Sequence, residues 1–215
     1  MEKITIIFEN QYFLCAIKPH GVLSVPSRFE GEDERQVLGR LLEKQLRKTL
    51  YPVHRLDFEV GGLILFAKNK EAQTLLSKGF EHKTIAKKYE AITSLPLSPG
   101  LDSGKKQIWT CLLAKGKRRA FIADHGKKSI TEVVFAGLEA GKNKLWLWPV
   151  TGRSHQLRFE MSHHGMPIDG DVLYGSTVKT QEDRVELRSV EIDFQNFPHR
   201  EKLEAPFFLK NELVE

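Results

Sequence analysis

Cysteine is scarce in this chain: 215 residues contain only Cys15 and Cys111. Two thiols so far apart form neither a disulfide framework nor a zinc site, and each sits in an apolar stretch of the kind that buries free thiols. A reducing compartment suits such a protein. Long apolar runs are missing too. None approaches the ~18 residues needed to cross a bilayer, and the opening Met1-Glu2-Lys3-Ile4-Thr5 lacks the apolar core of a secretory leader. The expectation is a cytoplasmic protein without a membrane partner. The patterns Gly-x-x-x-x-Gly-Lys-Ser/Thr and Gly-x-Ser-x-Gly are also absent, which removes the usual signatures of nucleotide hydrolysis and of serine hydrolases.

What is present is an ordinary globular composition, 40% hydrophobic and 28% charged, in a chain long enough to bury one sizeable core. Lys and Arg number 33 against 28 Asp and Glu, a formal charge of +5. The excess is clustered. Lys105-Lys106, Lys115-Gly116-Lys117-Arg118-Arg119 and Lys127-Lys128 crowd one stretch, a density suited to a polyanion because each cation that neutralises a phosphate releases condensed counterions. The plainer reading of 105–128 is a solvated basic surface loop.

Period-2 and period-3.6 patterns place the elements. Ile4 to Phe8 and Phe13 to Ile17 read as a hairpin around Glu9-Asn10-Gln11, and Lys18-Pro19-His20-Gly21 ends the ladder. Arg35 to Leu50 carries Val37, Leu38, Leu41, Leu42 and Leu46 on one helical face. The glycine-opened run from Val60 to Ala67 reads as a buried, central strand, and Lys70 to Glu81 as a helix. Strands are expected at Lys88–Ile92, Thr131–Ala136 and Leu145–Val150. Residues 153–164 are helix-compatible, and 165–171 irregular. Strand runs with a few helices, without regular βα alternation, favour an α+β fold.

Two stretches could carry chemistry. In His54-Arg55-Leu56-Asp57, a carboxylate just before a buried strand sits on a rigid element. There it can serve as nucleophile or general base, with Arg55 on the same face if the segment is extended. A surface turn with an ion pair is the alternative. A kinase catalytic loop is excluded: the order is His-Arg-Leu-Asp, and neither a preceding Gly-x-Gly-x-x-Gly nor a later Asp-Phe-Gly is present. The second stretch is Thr151-Gly152-Arg153-Ser154-His155-Gln156-Leu157-Arg158, continuing to Gly165-Met166-Pro167-Ile168-Asp169-Gly170-Asp171. Its histidines His155, His163 and His164 match no common metal-ligand spacing, so structural or RNA-contacting roles are expected rather than a metal site.

Together these stretches resemble the RluA-type pseudouridine synthases. His54-Arg55-Leu56-Asp57 with Gly62 and Ala67-Lys68 resembles the family's catalytic motif, and Lys88-Tyr89-Glu90-Ala91 its tyrosine motif. Thr151 through Arg158 resembles its third motif, Gly165 through Gly175 the glycine-rich segment that follows, and Lys18-Pro19-His20-Gly21 with Val25-Pro26 its opening. The order is kept from about residue 4 to 175. The resemblance implies a mixed, mainly antiparallel sheet with flanking helices, and an isomerase that converts uridine to pseudouridine in structured RNA, tRNA or ribosomal RNA. It implies Asp57 as the catalytic aspartate, Tyr89 as the ring stacked on the target uracil, Arg158 as the partner of Asp57, Leu157 as a wall of the base pocket and Arg55 as the filler of the space left by the flipped nucleotide. His54, Arg153 and His155, in the same motifs, are further substrate-binding residues. The chemistry is consistent: a stacked uridine must be extruded before its glycosidic bond can be reached, and a carboxylate kept ionised by an adjacent Arg needs neither a metal nor another cofactor.

The chain departs from the family at Val60-Gly61, where Thr-Ser is usual, and at Leu187-Arg188-Ser189, where Leu-His-Ala is common. One catalytic domain over 1–215, without a separate N-terminal RNA-binding domain and working as a monomer, is the expectation. Target selection then falls to the basic segment, with Lys115, Lys117, Arg118 and Arg119 as the RNA-binding residues. Two rivals stand beside this reading: a noncatalytic RNA-binding or RNA-folding protein that keeps the fold, and a metal-dependent hydrolase built on the histidines, which chelators would inhibit.

Overall fold

The computed structural model describes residues 3–27, 33–101, 104–181 and 184–211. The chain divides into two compact units, Met1–Lys87 with Ser189–Glu215, and Lys88–Arg188. The fold is α+β, with three α-helices among the described residues and strands that pair mainly antiparallel.

In the first unit β1 (Ile6–Glu9) and β2 (Phe13–Lys18) form the expected hairpin, and β2 pairs antiparallel with β4 (Gly61–Ala67). The short β3 (Tyr51–Pro52) also pairs with β4. Every residue of β4 is buried, which is why its sequence runs apolar without alternation. Its other neighbour is β10 (Leu187–Asp193), which pairs in turn with β11 (Phe208–Lys210). At Gly62 the β10 backbone passes so close that a Cβ would lie 2.2 Å from the Ser189 carbonyl oxygen, and φ is +102°. Only glycine fits there.

Helix α2 (Lys70–Glu81) begins where the Asn69 side chain accepts the Ala72 N–H at 2.8 Å, and it turns Ala72, Leu76 and Gly79 inward. These join Phe13, Leu63, Leu65, Ile192, Phe194 and Phe197 in the core of the unit. Helix α1 (Leu38–Leu46) is shorter than the expected Arg35–Leu50. Residues before it are extended: Leu23 donates its N–H to Gln36 and accepts from Leu38, and Arg47 closes the helix in the left-handed conformation.

The second unit is an antiparallel sheet in the order β5 (Ala86–Thr93), β9 (Lys142–Pro149), β8 (Lys127–Glu139), β6 (Gln107–Lys115), β7 (Ala120–Ile122), with α3 (Gln156–His163) against β7 and β9. The basic segment is therefore not a loop. Its residues form β6, β7 and the start of β8, with Trp109 and Leu113 buried and the charges on the turn and outer face.

Candidate active site

Asp57 lies in the first unit, in the turn that leads into β4, and is half-buried; Arg55 beside it is exposed. The turn is held from the Lys18–Ser24 segment. The Ser24 hydroxyl donates to the Leu56 carbonyl at 2.8 Å and accepts the Leu56 N–H at 3.0 Å. The Phe58 carbonyl accepts the Gly21 N–H at 3.0 Å and the Lys18 ammonium at 3.2 Å, and the Glu59 carbonyl faces His20 Nδ1 at 2.8 Å. The Asp57 carbonyl itself accepts the Val60 N–H. Each carbonyl from Leu56 to Glu59 thus has a partner, and the backbone carrying the carboxylate is fixed.

Two desolvated ammonium groups share this region. Burial lowers Lys18 and Lys87 to about 8 each, and the Asp57 carboxylate opposes that shift in both. The Lys18 ammonium is also spread over the Pro19 and Val22 carbonyls.

His54 faces inward rather than to solvent. Its Nε2 accepts the Leu65 N–H at 3.0 Å, which puts the proton on Nδ1, and the ring lies 4.5 Å from that of Phe80. Nδ1 is buried and has no hydrogen-bond partner among the described residues. Burial, then the charge of Lys87, holds His54 well below the ordinary histidine range, so it is neutral at pH 7.

The other candidate residues lie in the second unit. Tyr89 is 6% exposed, on β5 opposite Leu147 of β9. Leu157 and Arg158 are buried in the first turn of α3. Arg158 makes a two-pronged pair with Asp171, Nε to Oδ2 at 2.6 Å and Nη2 to Oδ1 at 2.8 Å, and its guanidinium lies 5.3 Å from the centre of the Tyr174 ring. Asp171 was not singled out by sequence reasoning. A buried guanidinium demands a carboxylate, but several acids were within reach of the chain.

The loop before α3 is locked by Gln156, another residue the motif reading left without a role. Its Oε1 accepts the Thr151 hydroxyl and the Arg153 N–H, and its Nε2 donates to the Ile130 carbonyl and Thr131 Oγ1, so all its capacity here is used by fixed partners. His155 starts the helix at φ +53° with Nδ1 3.1 Å from the Tyr174 hydroxyl, which accepts the Ala120 N–H. His163 stacks on Phe159 and His164 on Trp109. Among the described residues no cluster of three His, Cys, Asp or Glu side chains is placed to hold a metal.

Lys115, Lys117, Arg118 and Arg119 are exposed at the β6–β7 turn, closed by the Gly116 N–H on the Arg119 carbonyl. Beside it lies a pocket of about 380 Å³ lined by Lys115, His125, Lys127, Arg153 and Ser154. Arg153 donates from Nε to the Lys128 carbonyl at 3.0 Å. Sequence-distant cations therefore share one concavity. No helix among the described residues is long and apolar enough to cross a membrane.

A family model for RNA pseudouridylate synthase matches residues 12–163. A dual-specificity RNA pseudouridine synthase RluA of Vibrio vulnificus is 37% identical over 196 residues, covering 88% of this chain and 76% of that protein. A tRNA pseudouridine synthase C of Pasteurella multocida is 31% identical, with 80% of this chain and 74% of that protein covered. Among solved structures, human RNA pseudouridylate synthase domain containing 1 superposes with a TM-score of 0.71 at 24% identity, over 90% of this chain and 79% of that one. The last is a likeness of fold. The family match spans the Asp57 turn, Tyr89 and the Thr151–Arg158 stretch, and with these relatives it makes the chain a member of the RNA pseudouridylate synthase family.

Proposed function

We propose that Asp57 is the reacting carboxylate of this RNA pseudouridine synthase and that its substrates are tRNA and ribosomal RNA. The reading rests on the seat of Asp57, a carboxylate on a turn whose carbonyls are all tied and which runs directly into a fully buried strand. The relatives' names add the substrates: one set is dual-specificity, one acts on tRNA, and one, from Buchnera aphidicola, is a ribosomal large subunit pseudouridine synthase C.

The reaction breaks the N1–C1′ bond of a uridine, turns the base and joins C1′ to C5, from which the hydrogen leaves. The Asp57 carboxylate serves whether it attacks C1′ or removes a sugar proton. Tyr89 stacks on the extruded uracil, Leu157 lines its pocket and Arg55 occupies the vacated stack; Arg158, which the resemblance pairs with Asp57, is held by Asp171 in the structure, and His54, Arg153 and His155 support substrate binding. The basic turn and its pocket take backbone phosphates, which position the RNA without reading its sequence. The protein works as a monomer in the cytoplasm.

The test is tritium release from cellular RNA labelled at uracil C5, with wild type and Asp57→Asn side by side. Release by wild type alone is expected, with RNA affinity of the variant within a few fold. Release by Asp57→Asn overturns the assignment of the reacting group; RNA binding without release by either protein would favour the noncatalytic reading.

A further inference from the structure

The Lys18–Ser24 segment grips the turn that carries Asp57, and one of its contacts depends on a missing side chain. His20 is half-buried, with Nδ1 2.8 Å from the Glu59 carbonyl. A carbonyl only accepts, so Nδ1 carries the proton; the neutral tautomer and the imidazolium both present that donor. The other edge of the ring lies on Gly61. A Cβ added there would stand 2.7 Å from His20 Nε2, 2.9 Å from Cδ2 and 3.3 Å from Cε1. Any other residue at 61 would push the imidazole off, and with it the hydrogen bond to Glu59. Gly61 also opens β4, so the ring bridges the end of the catalytic turn and the first residue of the buried strand.

The other anchors of the turn do not share this dependence. Ser24 holds Leu56 on the near side of Asp57, and Gly21 with Lys18 holds Phe58. On the far side the Glu59 carbonyl has His20. The N–H of the same peptide is held by the Asp57 carbonyl, so a shift at the Glu59 carbonyl is carried through Val60 to the residue that bears the carboxylate. A displacement of about 1 Å at a reacting group costs on the order of 100-fold in rate.

We propose that His20 is a positioning residue for Asp57, seated in the space that Gly61 leaves open and holding the Glu59 carbonyl so that the carboxylate keeps its aim. The proposal rests on Asp57 being the reacting group. It also gives Gly61, where the chain departs from the Thr-Ser pattern, a physical role: the bare Cα leaves the space that the His20 ring fills.

The experiment uses the full chain and tritium release from C5-labelled tRNA and ribosomal RNA, with kcat, KM and melting temperature measured for each variant. His20→Ala is expected to lose tenfold or more in kcat with KM within twofold. His20→Asn, whose amide N–H reaches the position of Nδ1, should recover to within about threefold of wild type. Gly61→Ser should lose at least as much as His20→Ala, and the double variant His20→Ala/Gly61→Ser should fall no further than the worse single one, because both changes remove the same contact. Unchanged kcat in His20→Ala, an equal loss in His20→Asn, multiplied losses in the double variant, or a loss that follows a lowered melting temperature would each overturn the proposal. Asp57→Asn run in parallel separates the two readings: if it is inactive while His20→Ala is fully active, the positioning role fails and the catalytic assignment stands, and if it turns over, both fail.

Discussion

Replacing Asp171 with Asn tests how much of the second unit depends on one buried ion pair. Arg158 and Asp171 are 2% and 1% exposed, and the two contacts of 2.6 and 2.8 Å use both carboxylate oxygens. Asn keeps the shape but supplies one acceptor where there were two, turns an N–H toward the guanidinium, and removes the counter-charge that Asp171 supplies. Stranding one member of a buried pair costs about 3–5 kcal/mol, a large share of the ~5–15 kcal/mol that holds a typical domain folded. The Tyr174 ring, 5.3 Å from the guanidinium, faces it in wild type and variant alike and so leaves this difference unchanged. Urea unfolding of Asp171→Asn should therefore show a loss near 3 kcal/mol or more. The complementary change, Arg158→Leu, should cost a similar amount by stranding Asp171. Removing both charges, as Arg158→Leu/Asp171→Leu, should cost less than either single change, because no ion is left unpaired. A loss below about 1 kcal/mol in Asp171→Asn, or a double variant as destabilised as the sum of the singles, would refute the argument.

Two further outcomes follow from charge placement. The folded chain keeps His54 neutral well below 6.5, while the unfolded chain takes up a proton near 6.5, so stability contributed by this residue is present above that pH and is lost as pH falls below it, with a limiting slope of about 1.4 kcal/mol per pH unit. His54→Gln keeps an acceptor for the Leu65 N–H and cannot titrate, so its urea stability should fall less steeply than that of wild type between pH 6.5 and pH 5; parallel curves would show that His54 is not the titrating group. Replacing Lys115, Lys117, Arg118 and Arg119 together with Ala should lower the salt slope of RNA binding by about three if all four reach phosphates, at roughly 0.7–0.9 per contact, and leave kcat at saturating RNA unchanged. Filter binding over a range of KCl concentrations reads it, and an unchanged slope would move the RNA surface elsewhere.

Elements whose signals are local were legible in the sequence. Helix α2 matches its expected bounds because Asn69 caps it and its apolar spacing is helical, and β4 was recognisable because a strand buried on both faces has no alternation to hide. Elements defined by distant partners were less so. Helix α1 begins at Leu38 rather than Arg35 because Leu23, a dozen or more residues earlier, pairs with the backbone around Val37. Strands β6 and β7 were obscured by their own cations: between Lys105 and Lys128 the buried Trp109, Leu113 and Ala120 are outnumbered by charges that belong to turns and the outer face. Strand β10 alternates weakly, Leu187, Ser189 and Ile192 being its buried positions, and its need for Gly62 on the neighbouring strand cannot be read from either segment alone.

The site divides along the same line. A motif names the side chain that does chemistry, because the reaction demands a carboxylate at one place. The groups that hold it answer only to geometry, and any donor that reaches the right carbonyl will serve. Ser24, Gly21, Lys18 and His20 reach the carbonyls of Leu56, Phe58 and Glu59 with a hydroxyl, a backbone N–H, an ammonium and an imidazole, four chemistries for one task. Such supports can be exchanged provided the space is exchanged with them. The imidazole at position 20 and the bare Cα at position 61 fit one another, and neither residue could be interpreted until the other was in place. Departures from a family pattern beside a reacting group are therefore weak evidence against activity when a neighbouring segment fills the vacated volume and satisfies the same backbone group.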